Sequence, residues 1–125
     1  MPAIPFSAEV SGGPELATLA LHGDVNAAAD GGLDAAWKAA MALGASVVLL
    51  DFSDAAYINS TGIALIVQLL ADAGRSGREV RACGLSPHYT EIFQITRLSD
   101  YMRIFDDAAS ASTAPAAATS AGGER

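Results

Sequence analysis

This 125-residue sequence has few basic residues, one cysteine and no long apolar run. Seven basic residues stand against 14 acidic ones, and the formal net charge of −7 disfavours binding to nucleic acid and to anionic membranes. The single cysteine excludes an internal disulfide, and no apolar run reaches the roughly 18 residues of a membrane-spanning helix. The N-terminus shows no basic stretch followed by an apolar core, so we expect no secretion signal and a cytoplasmic location. Length and a hydrophobic content of 51% predict one compact domain, and the acidic charge leaves protein partners or cationic surfaces open.

Sequence patterns of nucleotide, metal and hydrolytic chemistry are also missing. No Gly-x-Gly-x-x-Gly or Gly-Lys-Ser/Thr pattern occurs, so we do not expect ATP hydrolysis. His22 and His88 lie far apart, with no carboxylate or cysteine at ligand spacing, so we expect no metal and no cofactor. Ser60 lacks the Gly-x-Ser-x-Gly context of a hydrolase nucleophile. Asp24 and Asp51 are candidate paired acids, but Asp51 ends a buried strand and is more simply a hydrogen-bond acceptor. We therefore do not expect an enzyme.

Segments typical of strands alternate with segments typical of helices. Strands are predicted at 6–10 and 17–22, joined as a hairpin, and then at 47–53, 79–83 and 101–105. Helices are predicted over 27–43, from Ser60 to about residue 76, and from Pro87 to near Arg97. This alternation predicts an α/β fold, in which a mixed sheet of four to five strands is covered by helices and its later strands are parallel. Cys83 lies in an apolar strand and is predicted to be an inert core residue.

The composition changes abruptly after Asp107. Residues 108–125 contain only Ala, Ser, Thr, Pro and Gly before a final Glu-Arg, which is too little apolar bulk to bury. We therefore predict a domain over residues 1–107 and a disordered C-terminal tail over 108–125. The first few tail residues could instead extend a terminal helix.

A hydroxyl-rich turn between a buried strand and a helix is the most informative feature. Asn59-Ser60-Thr61-Gly62 precedes the apolar run 63–70, and Asn59 or Ser60 can serve as the helix N-cap. Unpaired N–H groups and the positive end of the helix dipole favour an anion there, so a phosphate on Ser60 would be accommodated. Judged from these residues alone, such a serine is more often a simple cap.

Taken together, these segments resemble the STAS domain of bacterial anti-sigma factor antagonists. The resemblance covers roughly residues 5–108 and is carried by the following segments: Gly23-Asp24-Val25-Asn26, Asp51-Phe52-Ser53, Ile58-Asn59-Ser60-Thr61-Gly62-Ile63, Arg78-Glu79-Val80 and the late helix with Ile92-Phe93. It implies a single STAS-type α/β domain. In that family the first hydroxyl residue of the turn is the phosphorylation site, which assigns this role to Ser60, with Thr61 as a less favoured acceptor.

The resemblance also implies a set of partners. The unphosphorylated protein would bind an anti-sigma factor that is also a serine kinase, and would thereby release the sigma factor. Phosphorylation of Ser60 would end the interaction, and a serine phosphatase would restore it.

The surface expected to contact the partner lies around this turn. Its residues are Asn26, Tyr57, Asn59, Ser60, Thr61 and Gly62. Among the neighbouring apolar residues, Tyr57 is predicted at the surface, whereas Ile58 and Ile63 are better explained as core. Gly62 either lets a partner approach the backbone or packs against a strand.

Two asparagines depart from the family pattern and leave alternatives open. Asn59 and Asn26 stand where many members have aspartate, although asparagine retains the ability to cap a helix. Asn59 slightly favours a constitutive STAS interaction module, such as a transporter subunit or a component of a signalling assembly, that is not regulated by phosphorylation. A small enzyme on the same scaffold would need a polar pocket. The edge strand of the first hairpin is consistent with a monomer or a weak homodimer.

Overall fold

The computed structural model describes residues 4–116, which form five strands and four α-helices. The strands are β1 (Ser7–Gly12), β2 (Leu16–Val25), β3 (Val47–Ile58), β4 (Glu79–Cys83) and β5 (Arg103–Phe105). The helices are α1 (Asp30–Ala42), α2 (Ser60–Ser76), α3 (Pro87–Ile95) and α4 (Ala108–Thr113). Within residues 4–116, no helix is long and apolar enough to cross a membrane.

The five strands form one mixed sheet in the order β1-β2-β3-β4-β5. β1 is antiparallel to β2, whereas β2, β3, β4 and β5 are parallel to one another. The predicted hairpin, the parallel later strands and the α/β class are confirmed. Val25 pairs with Ile58, so β2 and β3 end at the same edge of the sheet. The loops that follow these two strands are therefore neighbours.

Helices cover both faces of the central strand β3. Val48 and Leu50 face the main core, which is closed by buried side chains of α1 and α2 such as Trp37 and Ile66. Leu49 points to the opposite face and packs in a second cluster with Cys83 of β4 and Ala111 of α4. A run of four aliphatic residues in β3 is explained by this burial on both sides. The prediction that Cys83 is a core residue is confirmed, because it is fully buried.

Three boundaries differ from the prediction, and the largest difference, in β3, has a tertiary cause. β3 continues through residues 54–58, which the sequence suggested were a gap, because β2 runs alongside as far as Val25 and supplies hydrogen-bond partners. The predicted helix over 27–43 begins with a 3-10 turn at 27–29, which Asn26 caps, before α1 starts at Asp30. The last strand is shorter than predicted and spans only Arg103–Phe105.

The start of the predicted tail is helical, which is the alternative that the sequence left open. Residues 108–113 form α4, which begins after an N-cap at Asp107 whose side chain accepts the N–H of Ser110 at 2.8 Å. Ala111 of this helix is fully buried, so the tail provides one small apolar contact that its composition did not suggest. Residues 117–125 of the predicted tail lie outside the described residues.

Candidate functional site

The turn between β3 and α2 begins with an asparagine cap. Asn59 has an extended backbone (φ −95°, ψ −177°), and its side-chain oxygen accepts the N–H of Gly62 at 2.9 Å. Of the two residues that the sequence offered as caps, Asn59 therefore has this role, and Ser60 is the first residue of the helix. This arrangement leaves the side chain of Ser60 free of any capping function.

The start of α2 is fastened to the end of β2. The N–H of Asn59 donates to the carbonyl oxygen of Val25 at 3.2 Å. Gly62 is buried against the same peptide group, and a Cβ at this position would lie 2.8 Å from the Val25 carbonyl carbon. The structure thus accounts for Gly62 by packing against a strand, which was one of the two explanations that the sequence allowed. A direct contact between Gly62 and a partner stays a prediction.

Ser60 and Thr61 present free polar groups to solvent. Both residues are exposed, and neither hydroxyl has a hydrogen-bond partner within residues 4–116. Their backbone N–H groups also have no acceptor in this part of the chain, since the cap satisfies only the N–H of Gly62. Free donors at a helix N-terminus, together with the helix dipole, favour a negatively charged group. The position is therefore suited to accept a phosphate on the Ser60 hydroxyl.

Four of the predicted partner-binding residues lie beside Ser60 at one edge of the sheet. Asn26 follows β2, next to the end of β3, and its side-chain oxygen accepts the N–H of Ala28 at 3.0 Å. Tyr57 is 57% exposed, which confirms its predicted surface location, and Ile58 is buried as predicted. Asn26 and Asn59 thus cap the first turns that follow two neighbouring parallel strands. The structure brings together Asn26, Tyr57, Asn59, Ser60 and Thr61, and places Gly62 beneath them.

One residue that supports the turn was missed by the sequence analysis. The hydroxyl of Tyr89 in α3 accepts the backbone N–H of Ile58 at 3.0 Å. The residue before the Asn59 cap is therefore held by a side chain 31 positions further along the chain. In the sequence Tyr89 is only one of several apolar positions of a short amphipathic helix, so no local signal identified it.

The candidate acids do not converge on a catalytic arrangement. Asp51 accepts both the N–H of Ser53 at 3.0 Å and its hydroxyl proton at 2.6 Å, which agrees with its interpretation as a hydrogen-bond acceptor. Asp51 pairs with Ala20 of β2, whereas Asp24 pairs with Tyr57, so the two carboxylates lie at different levels of the sheet. Among the described residues, no group of three or more His, Cys, Asp or Glu side chains could hold a metal ion.

The basic side chains contact acceptors away from the turn. Within residues 4–116 there are six of them, and each is already engaged: Lys38 with Asp34, Arg75 with Asp72, Arg78 with the Ala45 carbonyl, Arg81 and Arg103 with Glu79, and Arg97 with Asp100. A phosphate on Ser60 would therefore have no unoccupied side-chain cation in this part of the chain. Within this part of the chain, the backbone N–H groups of Ser60 and Thr61 are the donors that the helix start provides.

The sequence matches the STAS domain family over residues 7–111. The chain belongs to the STAS domain family. The match extends from β1 to Ala111 of α4, so it includes the Asn59–Gly62 turn. A comparison with curated proteins gives no match.

Solved structures with the same fold include anti-sigma factor antagonists at low sequence identity. The antagonist from Mycobacterium paratuberculosis aligns with a TM-score of 0.73 at 15% identity, over 86% of this chain and 92% of that one. Unphosphorylated SpoIIAA aligns with a TM-score of 0.66 at 16% identity, over 86% and 93% of the two chains. The phosphorylated form of SpoIIAA, a Bacillus cell fate determinant, aligns with a TM-score of 0.64 at 18% identity, over 86% and 96%. These likenesses support the STAS fold.

Proposed function

We propose that this STAS domain protein is an anti-sigma factor antagonist that is switched by phosphorylation of Ser60. The unphosphorylated form binds an anti-sigma factor that is also a serine kinase, and this binding frees the sigma factor. The kinase then phosphorylates Ser60, the complex dissociates, and a serine phosphatase returns the protein to its binding form. The observation that carries the proposal is the exposed Ser60 hydroxyl on the first turn of α2, beside two unpartnered N–H groups.

Structures of the same fold support a phosphorylation switch of this kind. SpoIIAA is named as an anti-sigma factor antagonist, and its structure has been solved in both an unphosphorylated and a phosphorylated form. Both forms align with this chain over 86% of its length, so the fold is compatible with either state. The transfer of function to this chain is part of the proposal.

The charge distribution suggests how the switch operates. A phosphoserine carries about −1.5 to −2 charges at neutral pH. In the free protein, the N–H groups of Ser60 and Thr61 and the helix dipole would stabilise that charge, so no refolding is required. In a complex the same charge would be buried at the interface, and all six described basic side chains of this protein are engaged elsewhere. Binding should therefore fail unless the partner supplies cations.

The proposed partner surface surrounds the phosphorylation site. Tyr57 is its large exposed side chain, and aromatic residues of this kind contribute strongly to protein interfaces. Asn26, Asn59 and Thr61 provide polar contacts at the rim, and Gly62 would contribute only its backbone. The anchoring of the turn to Val25 and to Tyr89 suggests that the surface is preorganised, which lowers the entropic cost of association.

A constitutive interaction module is the second candidate function. Asn59 favours it, because the residue before the acceptor serine lacks the carboxylate that is common in phosphorylated members of the family. In this alternative, Ser60 and Thr61 contact a partner such as a transporter subunit or a signalling assembly without being modified.

Affinity purification from the native host would test the phosphorylation switch. Wild type, Ser60→Ala, Ser60→Glu and Thr61→Glu would be compared, with mass spectrometry identifying the partners and the modification of the 59–62 peptide. We expect wild type and Ser60→Ala to retain an anti-sigma factor kinase. Ser60→Glu should weaken its binding by roughly 2–5 kcal/mol, as an unpaired interfacial charge does. Thr61→Glu adds the same charge at the next exposed position and tests whether the effect is specific to Ser60.

The outcomes separate the two candidate functions. Phosphate on Ser60 together with a kinase that is lost on Ser60→Glu would support the antagonist. A stable partner held equally by wild type and Ser60→Glu, with no phosphate on the peptide, would overturn the switch in favour of the constitutive module. Equal losses for Ser60→Glu and Thr61→Glu would place both residues in the interface without identifying Ser60 as the acceptor.

A further inference from the structure

The face of the sheet opposite α1, α2 and α3 is covered by an unusually small element. We call residues 107–116 the C-terminal cover; they contain Asp107, the six-residue helix α4 and the segment after it. Every residue of α4 is Ala, Ser or Thr, and only Ala111 is buried. Below it lies the covered patch, which consists of fully buried Leu49 and Cys83 with half-buried Leu16 and Phe105.

Apolar packing alone does not explain why the cover stays in place. The helix contributes one fully buried methyl side chain, and a helix of six residues is far shorter than those that are stable by themselves in water. Its attachment must therefore depend on other contacts. The described structure shows such contacts between the cover and two arginines of the sheet.

Arg81 of β4 is the main attachment point. Its side chain is 2% exposed, and its Nη1 donates to the Ala111 carbonyl at 2.6 Å while its Nη2 donates to the Pro115 carbonyl at 3.0 Å. Arg103 of β5 donates to the same Pro115 carbonyl. Glu79 binds both arginines, at 2.9 Å from Nε of Arg81 and 3.0 Å from Nε of Arg103. Two strands of the sheet thus hold the end of the cover through its carbonyl groups.

Proline explains why a carbonyl of α4 is available to an arginine. In a continuing α-helix the carbonyl of Ala111 would accept the N–H of residue 115, but Pro115 has no N–H. The guanidinium of Arg81 supplies the missing donor, and a cation at the C-terminal end of a helix is also favoured by the helix dipole. The contact is therefore specific for this end of α4.

Detachment of the cover would leave the ion pairs and strand hydrogen bonds of the rest of the fold intact. Arg81 would be hydrated and would keep its ion pair with Glu79, so no buried charge would be left unpaired. The ladder between β4 and its neighbours β3 and β5 does not include the cover. Segments with few buried apolar contacts at the end of a chain are those that open locally at low free energy.

We propose that the C-terminal cover is a detachable element, latched by Arg81, whose opening exposes the covered patch while the sheet remains folded. The cover lies on the opposite face from α2, so this device is independent of the role proposed for Ser60. Opening would present Leu49 and Phe105 as an apolar surface next to the Arg81–Glu79 pair. Its closing would hide that surface within the same chain.

Cys83 is a built-in reporter of this opening. It is the single cysteine of the chain and is fully buried in the same cluster as Ala111. Burial, followed by the nearby carboxylates of Asp51 and Asp107, raises the pKa of its thiol to about 12. In the closed state the thiol is therefore both inaccessible and protonated at pH 8, and thiolate is the reactive form. Reaction with a thiol reagent requires the cover to open or the whole domain to unfold.

The test uses the full chain and measures the rate at which Cys83 reacts with 5,5′-dithiobis(2-nitrobenzoic acid) at pH 8. In wild type we expect a slow rate that changes little with urea below the unfolding transition, because local opening exposes little surface. Arg81→Gln should raise the rate at least tenfold. Arg97→Gln is the matched control, since Arg97 is exposed and its ion pair with Asp100 lies outside the cover, and its rate should stay within twofold of wild type.

Two results would overturn the proposal. One is a wild-type rate with the full urea dependence of global unfolding, which would mean that Cys83 is exposed only when the sheet unfolds. The other is an increase in the Cys83 reaction rate of Arg81→Gln that is fully accounted for by a decrease in that variant's global free energy of unfolding. If Arg81→Gln does not fold, amide hydrogen exchange of the wild type decides instead. The amides of Ala111 and Ala114 should exchange faster than that of Ala82 in β4, and equal protection would refute the detachable cover.

Discussion

Replacing Gly62 by alanine would have two opposite effects on stability at the start of α2: a gain from helix propensity and a loss from overpacking. In a helix, alanine is favoured over glycine by about 1 kcal/mol. At this position, however, the new Cβ would lie 2.8 Å from the carbonyl carbon of Val25, closer still to its oxygen, and 3.1 Å from its Cγ1. Val25 ends a strand that is hydrogen-bonded on both sides for most of its length, so the strand has little freedom to move away. The first turn of α2 would have to move instead.

The expected loss of stability follows from these contacts. Overpacking a closely packed site costs typically 1–3 kcal/mol, and a clash with backbone atoms belongs at the upper end of this range. Displacement of α2 would also strain the hydrogen bond from Asn59 to Val25, which is worth about 1 kcal/mol. After subtraction of the propensity gain, we expect Gly62→Ala to destabilise the protein by roughly 2–3 kcal/mol.

Urea denaturation followed by circular dichroism would measure this change. With an m-value of about 1.5 kcal/mol per molar urea, the midpoint should fall by roughly 1.3–2 M. Gly74→Ala is the matched control, because Gly74 lies in the same helix and a Cβ there would meet nothing within 4 Å. It should be stabilising by about 0.5–1 kcal/mol. If Gly62→Ala is as stable as wild type, or gains stability as Gly74→Ala does, the close approach of α2 to Val25 is not as we describe it.

Three further predictions follow from single contacts. Asn59→Ala removes the side-chain cap of α2 and should lower the free energy of unfolding by about 1 kcal/mol in the same urea assay, whereas Asn59→Asp should not. Tyr89→Phe leaves the N–H of Ile58 without its acceptor and should cost about 1–2 kcal/mol; an unchanged midpoint would argue against this contact. The pKa of Asp107 is lowered because its carboxylate accepts the backbone N–H of Ser110. The ionised carboxylate therefore stabilises the C-terminal cover at pH values above 3.8, the ordinary pKa of the group. This stabilisation is lost as the pH falls through the lower pKa that Asp107 has in the folded protein. Reaction of the buried thiol with 4,4′-dithiodipyridine should therefore accelerate below about pH 4, relative to the reagent's intrinsic pH dependence, and Asp107→Asn should reduce this acceleration.

Features that depend on neighbouring residues were predicted well from the sequence. β4 has the predicted bounds Glu79–Cys83, and α3 follows the Ser86 cap and Pro87 as expected. A cap and its helix are close in the chain, and alternation of apolar residues reflects burial directly, so both can be identified without knowledge of the fold. The STAS resemblance added the position of Ser60, which the structure places on the first turn of α2.

Features that depend on distant residues were decided by the tertiary structure. β3 extends to Ile58 because β2 lies beside it, and the turn that follows is held by Tyr89 from another helix. The helical start of the predicted tail is contacted by Arg81, 30 residues earlier in the chain than Ala111, which donates to the Ala111 carbonyl left free by Pro115.

The sequence by itself thus determined the α/β class, the order of the elements and the location of the hydroxyl-rich turn. Only the tertiary structure decided how the backbone N–H of Asn59 anchors that turn to Val25, why alanine at position 62 should be destabilising, and how the C-terminal cover is attached. The physical reason is that periodicity and capping are properties of a few adjacent residues. A hydrogen bond between strands, or an arginine that reaches a helix end, requires groups that only folding brings together.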